Sequence, residues 1–180
     1  MNHYGGKEMA ASFRTVRKNT IQIAEDIPEE KYGFRAAPDT RTVAQTLAHI
    51  AYSPEFALHI HKGKISDMST VNFPELMQKV GAEEAKPRTK TEMIAALRSE
   101  GEKFAAFLES LPDAFLAETL TMPPGGSPAT RTRFDMLLAA KEHEMHHRGQ
   151  LMLLQRMVGV VPHLTLQRQA AMARAQTQKS

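Results

Sequence analysis

Apolar residues recur at steps of four and three from the start of the chain. Met9, Phe13, Val16, Ile23 and Ile27, with Thr20 between them, form one stripe of a helix. Pro28 stops it, and Arg14, Arg17, Lys18, Glu25 and Asp26 are assigned to its wet face. A second helix starts near Thr42, where Thr42 and Gln45 have capping-box spacing, and runs past Val43, Leu47 and Ile50 toward Leu58. Pro54 has no N–H to give the carbonyl of Ile50, which predicts a kink or break about one turn beyond His49. Residues 63–88, with Pro74, Gly81 and Pro87, make a connection too long for a hairpin between neighbouring helices and predict a crossover. The third helix opens on a second capping box, Thr89 and Glu92. It buries Ile94, Leu97, Phe104, Leu108 and Leu111 before Pro112 ends it. A turn-rich stretch at residues 122–130 leads to a fourth helix over about 132–158, closed by Gly159 and Pro162.

Four such faces predict an all-α fold, a four-helix bundle with a long crossover between helices 2 and 3. Residues 1–163 are read as the four-helix bundle and 164–180 as a basic C-terminal tail or short docking helix. The length, 180 residues with 42% hydrophobic and 24% charged, suits one domain. Cysteine is absent, which removes disulfides, thiolate metal sites and cysteine nucleophiles and leaves nitrogen and oxygen ligands. The net charge of +3 is uneven. Arg148, Arg156, Arg168, Arg174 and Lys179 face no Asp or Glu after residue 147, so the body is slightly acidic. The basic tail lacks aromatic residues to stack on bases, and nucleic acid is an unfavoured partner. No apolar run nears the roughly 20 residues that cross a bilayer, and the first residues do not resemble a signal peptide. The expectation is therefore a cytoplasmic protein with no membrane partner.

The fourth helix carries KEHEMHHRGQ, in which His143 and His147 project from one face a turn apart. They fall on a stripe with Met136, Ala140 and Leu154, so both rings are expected to face the bundle interior. His49 lies on a stripe of the second helix with Gln45, Tyr52 and Phe56 and could complete a three-nitrogen set. Eight histidines in 180 residues give about 0.35 pairs at this spacing by chance, so burial carries the argument. Three inward imidazoles cost several kcal/mol unless something satisfies them, and a divalent cation does so. His146 could also reach a shared ion by spacing, but it falls about 100° away on a flank. His3, His59 and His61 are assigned to the surface.

The string His143, Glu144, Met145, His146, His147 also matches HExxH, the zinc-protease helix whose Glu is the general base. That chemistry needs a third ligand downstream. Residues 148–180 hold no carboxylate, and Gln150 and Leu153 stand where the extended motif requires Gly and His. Only an upstream ligand remains, and His49 is the best candidate.

YGFRAAPDTRTVAQTLAHIA, residues 32–51, followed about ninety residues later by HEMHHRGQL, residues 143–151, resembles the DinB/YfiT-like superfamily over most of the chain. The resemblance implies a bundle with this crossover, a divalent metal on His49, His143 and His147, and a homodimer. It also implies activities such as thiol S-transfer with an exogenous low-molecular-weight thiol, while fixing the site better than the reaction.

Three neutral imidazoles leave a divalent ion with open positions, as in a catalytic and not a closed structural site. Zinc or nickel is favoured. The reading is a metal-dependent thiol S-transferase or hydrolase acting on a small-molecule substrate. The alternatives are a structural or stress-related metal-binding protein without catalysis and, more distantly, nucleic-acid binding through the tail. Glu144 and Gln150 could orient the histidines or be solvated, and Arg148 could hold an anionic group or a structural salt bridge.

Overall fold

The computed structural model describes residues 4–177. The bundle is built from α1 (Gly6–Asp26), a broken second helix made of α2 (Val43–Tyr52) and α3 (Pro54–Lys62), α5 (Lys90–Glu109) and α7 (Arg133–Met157). α1 packs along α5 and against α7, and α2 fills the space between α5 and α7. The apolar stripe expected of the first helix is buried throughout, with Phe13, Ile23 and Ile27 fully enclosed. Both capping boxes form. The Thr42 hydroxyl accepts from Gln45 N at 3.1 Å while Gln45 Oε1 accepts from Thr42 N at 2.9 Å, and Thr89 and Glu92 do the same for α5. The second helix breaks at Ser53, and Pro54 opens α3, where its missing N–H costs nothing.

The crossover is not a plain loop. It contains α4 (Phe73–Glu84), which starts on the Asn72 cap and packs on α2 and α3. Its apolar residues are few, with only Leu76 and Val80 buried, so it lacks a stripe long enough to read from periodicity. Between α5 and α7 lie a short α6 (Asp113–Ala117) and a hairpin, β1 (Thr119–Thr121) against β2 (Thr130–Thr132), too short to show alternation. Residues 163–177 form a helix, α8 (His163–Thr177), none of whose residues is buried. Its first residue reaches Asn19 on α1, His163 Nε2 to Oδ1 at 3.3 Å. His3 and residues 178–180 of the basic tail lie outside the described residues.

These extra elements correct one surface assignment. His61 is buried, 2% exposed, because the hairpin and the segment before α4 cover that side of α3 with Met68, Val71 and Leu120 around Ile60. Its Nδ1 lies 3.3 Å from Arg133 Nη1. A guanidinium can only donate, so the ring accepts there and is neutral, with its proton on Nε2. Burial first, and the Arg133 charge second, push its pKa down to about 4. An unfolded histidine titrates near 6.5, so between pH 6.5 and 4 the unfolded chain binds the extra proton. The stability this ring contributes is therefore complete above pH 6.5 and is lost as pH falls toward 4. We expect His61→Gln, whose amide oxygen can still accept from Arg133, to reduce the loss of stability between pH 7 and pH 4.5 by about 2–3 kcal/mol. Urea unfolding of both proteins at the two pH values measures it; an equal loss in the variant would refute the assignment.

Candidate metal centre

The capping box sets the rotational phase of α2: Val43, Leu47 and Ile50 face the core, and His49 falls on the flank toward α7 and α4. On α7, His143 and His147 stand one turn apart on the facing flank. His49 Nε2 and His147 Nε2 each lie 3.1 Å from His143 Nε2. Among the described residues these three form the one group of three or more metal-ligating side chains drawn together, their ligand atoms all within 4.8 Å of one another.

The outer nitrogens explain why the inner ones converge. His49 Nδ1 meets Glu84 Oε1 at 2.7 Å, and His147 Nδ1 meets Gln150 Oε1 at 2.8 Å. Both partners accept, so both rings carry their proton on Nδ1 when neutral and present a bare Nε2 lone pair inward. One proton on His143 Nε2 could serve only one of them, whereas a cation satisfies all three. Nitrogens bound to a tetrahedral zinc at about 2.0–2.1 Å stand about 3.3–3.4 Å apart, close to the observed separations. The donor set fits a divalent ion.

His147 is buried, and His49 and His143 are half-buried. Burial, followed by the neighbouring His147, His49 and His146 rings and the Arg41 charge, pushes the His143 pKa down to about 4. Burial also lowers that of His147, against the raising effect of its Gln150 hydrogen bond. Both rings are therefore held in the neutral form that ligates.

Glu84 is the functional residue that sequence reasoning missed. It ends α4, inside the stretch read as a connection, and only the packing of α4 on α2 brings it to His49. A carboxylate behind a ligating imidazole fixes its tautomer and raises its basicity. Glu84→Gln is expected to weaken divalent-metal affinity about 10- to 100-fold, measured by competition with a chromophoric chelator; unchanged affinity would make Glu84 a bystander.

The residues named around the ligands fall differently. Gln150 orients His147 and also touches His146 Nε2 through its amide nitrogen at 3.2 Å. His146 is exposed and stands outside the convergent group. Arg148 is half-buried, forms no hydrogen bond or ion pair with a described residue, and does not line the cavity beside the histidines. Glu144 is neither solvated nor a partner of a histidine. It is 1% exposed, on the core side of α7, and accepts from Arg17 Nε at 3.0 and 3.1 Å and from Thr20 Oγ1 at 2.7 Å. Arg17, assigned above to the wet face of α1, is correspondingly buried at 3% exposed.

His49 and His143 form part of the wall of a cavity of about 480 Å³. Phe56, Ala57, Val80, Met136 and Ala140 make most of the remaining wall apolar, and Arg41, Ser53, Glu84 and Arg131 supply its polar points. Such a volume suits a small organic molecule. No helix among the described residues is long and apolar enough to cross a membrane.

Comparison with known proteins agrees with this architecture. YjoA of Bacillus subtilis is 23% identical over 152 residues, covering 84% of this chain and 90% of that protein. Its crystal structure superposes with a TM-score of 0.63, covering 84% of this chain and 92% of that one. A DinB-like protein from Bacillus cereus gives 0.64 at 18% identity, covering 86% and 93% of the two chains. YfiT from Bacillus subtilis, described as a probable metal-dependent hydrolase with an unusual four-helix bundle topology, gives 0.66 at 15% identity, covering 89% and 91%. The model of the DinB superfamily matches residues 12–151, the stretch that holds all three convergent histidines, and the chain belongs to that superfamily.

Proposed function

We propose that this protein is a divalent-metal-dependent enzyme that acts on a small molecule, with His49, His143 and His147 as the ligands. One observation carries the reading: three imidazoles turn their Nε2 atoms toward one another, two of them, His49 and His143, at the wall of a largely apolar cavity. A divalent ion held there would acidify a water molecule or an exogenous thiol and so supply a nucleophile near neutral pH. The chain's own residues do the rest. Glu84 and Gln150 hold two ligand rings in register by their outer N–H groups. Phe56, Val80 and Met136 give the space beside the site an apolar wall, against which the body of an organic substrate can lie. Among the described residues Glu84 is the one carboxylate on the cavity wall, and it is engaged by His49.

Zinc or nickel suits an all-imidazole set. Hydrolysis is supported by the likeness to YfiT, and thiol transfer by the cysteine-free chain, which would draw its thiol from solution. Elemental analysis of tag-free protein, then cobalt substitution and titration with a low-molecular-weight thiol and an activated ester, tests the reading. A shift of the cobalt spectrum with thiol favours transfer, and ester turnover without such a shift favours hydrolysis. Failure to take up an ion on reconstitution would end the enzyme reading.

A further inference from the structure

The cavity beside the histidines has an uneven charge inventory. Two guanidinium groups line it, Arg41 and Arg131. Arg131, on β2, donates from Nε to Asp135 Oδ2 at 2.6 Å, so its charge is answered by a carboxylate in the first turn of α7. Glu84 is taken by His49. Arg41 alone among these charges has no hydrogen-bond or ion-pair partner among the described residues. It directly precedes the Thr42 cap of α2 and is exposed. It lines both the cavity and an adjoining depression that shares Gly81 and Glu84 with it, and so stands where the cavity opens to solvent.

A ligand complementary to this arrangement needs an apolar body for the walls and an anionic group for the opening. Guanidinium recognises planar, bidentate oxyanions such as carboxylate or phosphate. We propose that the cavity takes a small organic anion, its carboxylate or phosphate held by Arg41 and its apolar body lying against Phe56, Val80 and Met136. The reading of this anion as the substrate rests on the metal-dependent function above; the binding itself does not. Arg41 takes the role that the sequence offered to Arg148, which the fold leaves away from the cavity wall.

The test uses metal-free, chelator-treated full-length protein, so that no anion can be held by an ion. Binding of 4-phenylbutyrate, phenyl phosphate and the neutral 4-phenylbutyramide is measured by calorimetry or NMR on wild type and Arg41→Gln. The two anions are expected to bind wild type about 5- to 10-fold more tightly than the amide. Arg41→Gln should bring them down to the amide's level, leave the amide unaffected, and leave metal uptake by the reconstituted variant unchanged. Whichever anion loses more identifies the favoured group. Equal binding of anion and amide to wild type, an Arg41→Gln variant that keeps the preference, or no binding of either anion overturns the proposal. Failure of the metal reading would show separately, as absence of ion uptake in the wild type.

Discussion

Replacing His143 with alanine is expected to take the divalent ion content of the reconstituted protein from about one per chain to near zero. His143 is the ring both other ligands face, at 3.1 Å from each, so its loss removes the centre of the set and leaves two nitrogens on different helices. His49→Ala and His147→Ala each leave two ligands and should lower affinity by at least ~100-fold. His146→Ala is the control. That ring is exposed, packs edge-on against His147 and bonds Gln150, but it does not join the convergent nitrogens. Its removal should leave metal content within about twofold of wild type, the small effect coming through Gln150. Metal analysis after dialysis against a weak chelator reads all four variants. Equal loss in His146→Ala would move the site to the other face of α7.

The second large effect concerns stability and sits one residue away from the first. Glu144→Ala is expected to destabilise the fold by about 3–5 kcal/mol, because it leaves the Arg17 guanidinium buried without its carboxylate. Arg17 does more than pair with Glu144. Its Nη1 donates to Leu97 O at 2.7 Å and its Nη2 to Ile50 O at 3.0 Å. One side chain on α1 thus bonds α2, α5 and α7, and it touches all four members of the bundle at the level of the histidines. The close fit extends to Gly101, where a Cβ would come within 2.8 Å of Arg17 Cγ. Replacing the pair together, as Arg17→Met with Glu144→Leu, should recover only part of the loss: an apolar pair carries no ionic desolvation cost, but the Ile50 carbonyl loses the donor that Arg17 gave it. Urea unfolding of Arg17→Met, Glu144→Leu and the double variant forms the cycle. If Glu144→Ala costs under ~1 kcal/mol, the pair is not a structural hub. The same geometry removes Glu144 from the chemistry. Its string matches HExxH, but its carboxylate is spent inside the bundle, so the metal content of folded Glu144→Gln should match wild type.

The two predictions divide what the sequence by itself determined from what required the fold. Local physics was legible. The stripe from Met9 to Ile27, the two capping boxes and the stop at Pro112 depend on neighbours within a turn, and the pattern of residues expresses them directly. The i, i+4 spacing of His143 and His147 is likewise a property of one helix. His49 could be nominated because its stripe and the missing downstream carboxylate left no better ligand.

What the sequence could not carry is which residues of different helices meet. Arg17 reads as a wet-face residue because its partners are 33, 80 and 127 positions away. Burial of a charge is decided by whether a counter-charge is delivered to it, not by its own type. Pro54 shows the same division. Its sequence predicts an Ile50 carbonyl robbed of its helical partner, and the tertiary structure supplies the donor, Arg17 Nη2. Glu84 and His61 were hidden for one shared reason. The elements that bring Glu84 to His49 and cover His61 are α4, the segment before it and a hairpin of two three-residue strands, whose apolar positions are too few to show a period and which are held by packing against the bundle. Periodicity reports elements that bury a stripe of their own, whereas short elements take their order from the surface they cover.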